Sequence, residues 1–539
     1  MPTVTRGTSD PVLVEAPDVG TLDYETPRRP SLTRRTLSGG AWTVGGYVLL
    51  NVVRLGTNLV LVRLLAPDVF GIVAWLSAVL VGLQMFSDVG IGPAIIQNPR
   101  GEDDRFLRTA YTIQVLRGWM IFGVACALAW PLAKLYGIGA FTYLIPVAAL
   151  TAVLDGFRST AFHRLNRHMR IRELTLLDFG RMLLQSVLMI VMARLWPNVW
   201  ALLIPMLVAV AAEMTVTHFI MRDRHDGFGW DRPSARMLFS FGKWVFLSTL
   251  LTFLANSSDK FIFPGIFSFV ELGVYSIALG LATLPTQAIL SVGHKVIFPA
   301  YSEVARALQR RQEAQRGDLS ALDAAAAVEP GEESGSYIEW EQGADRFRRV
   351  FGRVRRVLLV LGALAVAGLV ATGPWLIGLL YPANYQAAGW MLQLLAAGAW
   401  FQVLEVTNGS AMLAMGQPKW VALSMAGKVV AMAILIPLLA WQWGFSGAVA
   451  AVAGAEVIRY AGSLVGLSRL GLGLRVLGWD IFLTACVAAS AGAGYLAGLA
   501  FEGNLMRLLV SGVVTTALWS PVIWVSWSRW RRWRGEAAG

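Results

Sequence analysis

The chain has 539 residues, 56% hydrophobic and 15% charged, with a net charge of +12. A soluble domain carries about 25% charged residues. So much apolar surface has no place in one aqueous core, which excludes a water-soluble globular protein and makes the bilayer the solvent.

Residues 1–37 are polar and hold prolines and arginines without an early apolar run. They read as a disordered cytoplasmic tail with no cleavable signal peptide, the first membrane helix acting as its own signal. A spanning helix needs about 20 mostly apolar residues. The candidates in chain order are 38–63, 69–92, 107–134, 141–161, 173–195, 199–221, 237–262, 269–299, 354–380, 386–415, 419–442, 446–468, 478–500 and 506–528. The expected fold is therefore an all-α integral membrane protein of about fourteen helices.

Arginines set the orientation. They cluster before the first segment (Arg28, Arg29, Arg34, Arg35), then at Arg100, Arg105 and Arg108, at Arg164, Arg167, Arg170 and Arg172, and at Arg222, Arg224, Arg232 and Arg236. The clusters continue at Arg306, Arg310, Arg311, Arg346, Arg348 and Arg349, and end at Arg529, Arg531, Arg532 and Arg534. The alternate loops, APDVFG, LWPN, FSFVE, YPANYQ and WQWGFS, are short and carry no arginine or lysine. Both termini are expected in the cytoplasm. The basic excess is then topology, and nucleic acid is not an expected partner.

The chain repeats itself. LLAPDVFGIVAWLSAVL (64–80) follows the first segment and IFSFVELGVYSIALGLA (266–282) follows the seventh, with Gly71 and Gly273 in equivalent turns. This pattern predicts an N-lobe over 38–222 (helices 1–6) and a C-lobe over 237–468 (helices 7–12). Helices 13–14 over 478–528 and a basic tail over 529–539 follow. Residues 303–345 are hydrophilic and read as a cytoplasmic linker. Cys126 and Cys486 lie in apolar segments and read as small packing residues. The sequence contains no phosphate-binding P-loop, so no ATP site is expected. Cofactors and metals are not expected either.

Four stretches carry a resemblance. They are LVRLLAPDVFGIVAW (61–75) with DVGIGPAIIQ (88–97), DKFIFPGIFSFVELGVYSIALGLATLP (259–285), VIFPAYSEV (296–304), and LLYPANYQAAGWMLQLLAAGAWF (379–401) with AMLAMGQPKW (411–420) and WGFSGAVAAVAGAEVIRY (443–460). The chain resembles the polysaccharide-transporter, Wzx-like branch of the multidrug/oligosaccharidyl-lipid/polysaccharide (MOP) exporter superfamily. That resemblance implies two lobes in a V around a central cavity, in a bacterial inner membrane. It implies a flippase moving undecaprenyl-diphosphate-linked oligosaccharide repeat units from the cytoplasmic to the periplasmic leaflet by alternating access. The polymer would be an exopolysaccharide, a capsule or an O-antigen. The implied partners are that lipid-linked oligosaccharide, membrane lipids, and a polysaccharide polymerase and co-polymerase.

Charges inside spans are expensive and mark candidate sites. Tyr47, Asn51, Arg54 and Asn58 share one helical face. Arg54 lies about 24 Å from the start of its segment and about 14 Å from Arg63, too deep to snorkel easily. In the third segment Thr109, Thr112, Gln114 and Arg117 precede the apolar stretch. Arg54 and Arg117, with Asn51, Asn58 and Gln114, are the expected substrate-binding residues, because a guanidinium stays charged and forks onto phosphate oxygens. The competing reading is structural, each arginine paired with a carboxylate such as Asp88 or Asp178. Asp88, Glu213, Glu405 and Lys428 are candidates for coupling or gating. Asp178 with Arg181, and Glu456 with Arg459, read as local i,i+3 pairs. Ser291 and Lys295 share a face near the cytoplasmic end of the eighth segment.

The alternative function is a MATE-like exporter of small drugs or cations, for which carboxylates rather than arginines would be expected in the N-lobe. An enzyme is not expected, since the short loops leave no room for a catalytic cluster and the long one holds no His, Cys or DxD-type motif.

Overall fold

The computed structural model describes residues 32–87, 91–97, 101–168, 170–220, 226–292, 338–469 and 473–536. Sixteen α-helices and two short 3-10 turns make up this part, with no strand among the described residues. In chain order the first helices are α1 (Leu32–Leu64), α2 (Pro67–Phe86), α3 (Ile91–Gln97), α4 (Asp104–Tyr136), α5 (Phe141–Gly156), α6 (Ala161–Arg167), α7 (Ile171–Leu195) and α8 (Trp200–Ile220). The rest are α9 (Arg232–Ile262), α10 (Phe269–Ala282), α11 (Leu284–Val292), α12 (Ile338–Leu380), α13 (Ala388–Ala414), α14 (Pro418–Arg469), α15 (Gly473–Leu499) and α16 (Asn504–Glu536).

Among the described residues nine helices are long and apolar enough to cross a membrane, or eleven if each of two bent pairs is one span. Those pairs are α5–α6, bent by 62°, and α10–α11, bent by 44°. The remaining predicted segments also fall on helix. Two of them merge in α14, which breaks at Trp443 and Gly444. Gly444 takes φ +60°, a left-handed conformation that glycine adopts without strain. Beyond it a Cβ on Gly447 would lie 2.0 Å from the Leu439 carbonyl oxygen. The two limbs fold back on each other, with Gly462 against Ser424 and Lys428 paired with Glu456.

Several helix boundaries differ from expectation, among them the end of the last helix at Glu536, inside the predicted basic tail. Helix α1 begins at Leu32 inside the predicted tail, and α12 begins at Ile338 inside the predicted linker. Residues 1–31, most of the 303–345 linker, and Asp88, Gly90, His294 and Lys295 lie outside the described residues.

Helix starts follow local chemistry. Asp103 caps α4 by accepting from Arg105 N, and Ser268 with Glu271 forms a capping box on α10. Gly137, at φ 69°, ends α4.

The first half packs through α4 on α5, α7 on α1 and α8, and α5 on α8; the second through α13 on α12 and α14, with α15 and α16 against α12. The halves meet mainly where α2 contacts α10 and α9. The two glycines paired by the repeat touch there. A Cβ on Gly71 would lie 1.9 Å from the Phe269 carbonyl oxygen, and one on Gly273 would lie 1.8 Å from that of Pro67. Backbone approaches this close need glycine on both sides. Around them Trp75 stacks on Phe141 at 4.3 Å, Tyr136 Oη donates to the Phe261 carbonyl at 3.1 Å, and Arg63 donates to that of Leu380 at 2.8 Å. Tyr385 Oη donates to the Leu65 carbonyl at 3.4 Å. Burial pushes the neighbouring Tyr381 hydroxyl up to about 12, against the pull of Arg63, so it stays neutral. The halves are thus joined at the end that carries the short loops.

Candidate functional site: a polar cavity in the first half

Helices α4 and α5 cross closely through two more glycines. A Cβ on Gly118 would meet the Ala152 carbonyl oxygen at 2.5 Å, and one on Gly156 would meet that of Gln114 at 3.1 Å. Just past this crossing α5 ends and the chain turns into α6. The carbonyls of a helix end need donors. Gln114 supplies them: its Nε2 lies 3.1, 3.1 and 2.9 Å from the carbonyl oxygens of Asp155, Gly156 and Arg158. Helix α2 ends in a similar way. Arg117 Nη2 donates to the Gln84 carbonyl at 2.6 Å, and its Nε to Ser87 Oγ at 3.0 Å.

The two interrupted helices leave a cavity of about 300 Å³, lined by Gln84, Gly92, Gln114, Arg117, Asp155, Arg158 and His163 among others. It lies in the half of the helix bundle nearer the basic loops. Below it α3 and α6 pack together, and Arg167 Nη1 donates to the Ile95 carbonyl at 2.8 Å. The His163 ring lies directly over Gly92, where an added Cβ would meet it at 3.1 Å.

Arg158 is the cation that the structure adds to the site. Its Nη1 lies 3.5 Å from Glu213 Oε1, and its guanidinium sits 4.2 Å over the Phe162 ring. Glu213 is buried, at 7% exposure, and its other oxygen pairs with Arg181 Nε at 3.2 Å. Among the described residues Arg158 Nε and Gln114 Oε1 are buried without a hydrogen-bond partner. Each of these side chains keeps one hydrogen-bonding atom unused inside the protein. At 300 Å³ it stands at the lower bound of ligand cavities, about 300–1,000 Å³. A diphosphate fits that size, and a whole oligosaccharide does not.

The predicted residues divide as follows. Gln114 and Arg117 line the cavity, although both also cap helix ends. Arg54 does not line it. It is exposed, with Nη2 donating to Asn51 Oδ1 at 2.9 Å, and Asn51 and Asn58 are half-buried beside it. Val48, Leu49, Val52 and Val60, also exposed, occupy the opposite side of α1. Arg181 lies near Asp178 in its own helix and also pairs across with Glu213, whose other oxygen faces Arg158. Glu213 is accordingly not isolated.

The same holds in the second half. Glu405 Oε2 pairs with Arg459 Nη2 at 2.6 Å, and Lys428 Nζ with Glu456 Oε1 at 2.6 Å. The expected Glu456–Arg459 pair is the long contact of the group, at 3.8 Å.

Asp155, Arg158 and His163 went unnoticed in the sequence. The signal was the run DGFRST (155–160), two charges inside the predicted span 141–161. It marks where that span breaks.

Solved structures share this arrangement of helices. The lipid II flippase MurJ, in an inward closed conformation, superposes with a TM-score of 0.59 at 11% identity, covering 88% of this chain and 98% of that one. An inward-facing multidrug resistance MATE family transporter of the MOP superfamily gives 0.53 at 13% identity over 81% and 99%. These likenesses show the fold.

In sequence, residues 60–320 match the family described as polysaccharide biosynthesis protein. The succinoglycan biosynthesis transport protein ExoT of Rhizobium meliloti (strain 1021) is 25% identical over 256 residues, 47% of this chain and 51% of that protein. The teichuronic acid biosynthesis protein TuaB of Bacillus subtilis (strain 168) is 20% identical over 389 residues, 72% and 73% of the two chains. The lipopolysaccharide biosynthesis protein WzxC of Escherichia coli (strain K12) is 22% identical over 277 residues, 51% and 56%. The matched part spans about half the length of ExoT and of WzxC. The resemblance to Wzx-like polysaccharide transporters of the MOP superfamily therefore holds.

Proposed function

We propose that the protein is a flippase of the bacterial inner membrane that carries undecaprenyl-diphosphate-linked oligosaccharides from the cytoplasmic to the periplasmic leaflet for a cell-surface polysaccharide. A sugar headgroup cannot cross about 30 Å of hydrocarbon unaided. It needs an aqueous path while its lipid tail stays in the bilayer. In this reading the two halves are lobes that rock about the Gly71–Gly273 junction, which closes the periplasmic side. Arg54, on the side of α1 opposite its apolar exposed face, lines the aqueous space between them.

The observation that carries the reading is Arg158 on the cavity wall with Arg117, its buried Nε unpaired. A guanidinium with an open donor beside a second one is a phosphate fork. The 300 Å³ cavity would hold the diphosphate, with the sugars in the larger space beyond. Uptake from the cytoplasmic leaflet is supported by the position of the cavity toward the basic loops.

The test is transport of a fluorescent undecaprenyl-diphosphate oligosaccharide in proteoliposomes by wild type, Arg158→Gln, Arg54→Ala and Arg54→Lys. Wild type moves it, Arg158→Gln loses at least ~100-fold of the flux, and both Arg54 variants lose ~10-fold while staying folded. Intact flux in Arg158→Gln removes the site. Wild type that moves no lipid but exports small cations puts the MATE-like reading in its place.

A further inference from the structure

The polar groups around the cavity form a balanced set. Arg117, Arg158 and Arg181 share this region with three acidic residues, Asp155, Asp178 and Glu213. The anions differ in position. Glu213 on α8 is buried behind Arg158 and Arg181 and pairs with both. Asp178 on α7 is not part of the cavity lining, and its cationic neighbours are Arg181 and Arg158. Asp155 alone among the three lines the cavity, on the same wall as Arg117 and Arg158. It occupies the last turn of α5, one residue before Gly156, where Gln114 pins the backbone through three carbonyls. Its backbone is thus fixed at the wall that an anion must reach.

We propose that Asp155 is a built-in counter-anion of the phosphate site, a positioning residue that holds the cavity arginines in balance when no cargo is bound and repels the diphosphate once it has entered. This rests on the diphosphate reading above. With Asp155 absent, Arg117 and Arg158 would face the diphosphate with no anion on the cavity wall and hold it too tightly to let it go. Passage requires binding strong enough to admit the ligand and weak enough to release it. Like charges brought together in a partly desolvated site oppose binding strongly. Asp155 therefore sets the affinity of the site, and its removal separates binding from turnover.

The experiment measures binding of undecaprenyl diphosphate, with undecaprenol as the neutral control, to the full chain in nanodiscs, alongside flux in proteoliposomes. Asp155→Asn binds the diphosphate ~10-fold tighter, leaves undecaprenol binding unchanged and lowers maximal flux ~10-fold. The double variant Asp155→Asn/Arg158→Gln restores the charge balance and returns the affinity to within ~3-fold of wild type. Asp155→Glu keeps the charge and stays within ~3-fold of wild type in both measurements. Asp155→Asn that binds the diphosphate no tighter, or that tightens both lipids equally, overturns the proposal. If Asp155→Asn does not fold, Asp155→Glu decides: lost flux in that folded variant shows that charge is not the role. Wild type that binds undecaprenyl diphosphate no better than undecaprenol instead sinks the diphosphate reading itself.

Discussion

Both halves bury charge inside the membrane, and they do so in opposite ways. In the second half Arg355, at 3% exposure, spends its whole guanidinium on neighbours. Its Nη1 and Nη2 reach Asp480 at 2.5 and 2.8 Å, Nη2 also meets Asn408 Oδ1 at 3.1 Å, and Nε donates to Thr407 Oγ1 at 3.0 Å. Tyr460 Oη adds a bond to Asp480 at 2.5 Å, and Asn408 Nδ2 passes the chain on to Ser463. This network ties α12, α13, α14 and α15 together. In the first half the ion pairs of Glu213 are longer than that of Arg355, its arginines are partly exposed and a cavity opens beside them, while buried polar atoms without a hydrogen-bond partner among the described residues occur in both halves, Arg158 Nε in the first and Arg459 Nε in the second. A satisfied network fixes structure, whereas unmet donors beside a cavity are available to a ligand. Charge in a span marks a candidate site where it also lines a cavity.

The largest effect that can break this comparison is at Arg355. Arg355→Ala strands Asp480 without its cation and costs about 3–5 kcal/mol. A thermal-unfolding midpoint in detergent close to wild type would remove the structural role from the second half. Arg355→Met with Asp480→Leu recovers most of that loss, since apolar residues of similar volume replace a buried pair well.

The next effect is at the junction of the halves. Gly71→Val drives side-chain atoms into the Phe269 carbonyl and costs about 1–3 kcal/mol. Under the rocking reading it also loosens the short-loop end, so cysteines placed there become more reactive to a membrane-impermeant thiol reagent. Unchanged labelling with lowered stability would show a packing contact and no gate.

The smallest stability effect belongs to the first half. Glu213→Gln leaves Arg158 and Arg181 without their carboxylate, but their side chains are 24% and 37% exposed, so water screens much of the loss. A cost of about 1 kcal/mol is expected, with a much larger proportional loss of flux. A stability loss as large as that of Arg355→Ala would make the two halves equivalent and erase the contrast.

Much of this protein was legible in the sequence. Helical run lengths, the alternation of basic and neutral loops and the two glycine turns are local or periodic features, so they survive without coordinates. Gly71 and Gly273 were matched by position, and their reciprocal contact follows from the same repeat. Gln114 and Arg117 stood out because polar residues inside an apolar run are costly wherever the helix lies.

What only the tertiary structure decided is which groups meet. The pairing of Glu213 with Arg158 and Arg181 spans three segments of chain, and nothing in the spacing of those residues encodes it. The spans 69–92 and 141–161 read as continuous membrane segments despite Asp88, Asp155 and Arg158. Yet α2 ends at Phe86 and α5 at Gly156, because Arg117 and Gln114 from the neighbouring helix satisfy the carbonyls that a break exposes. A helix in hydrocarbon can stop only where another helix supplies its hydrogen bonds. Composition and periodicity determined that this chain fills a membrane with helices. The cavity arose from where those helices were allowed to break.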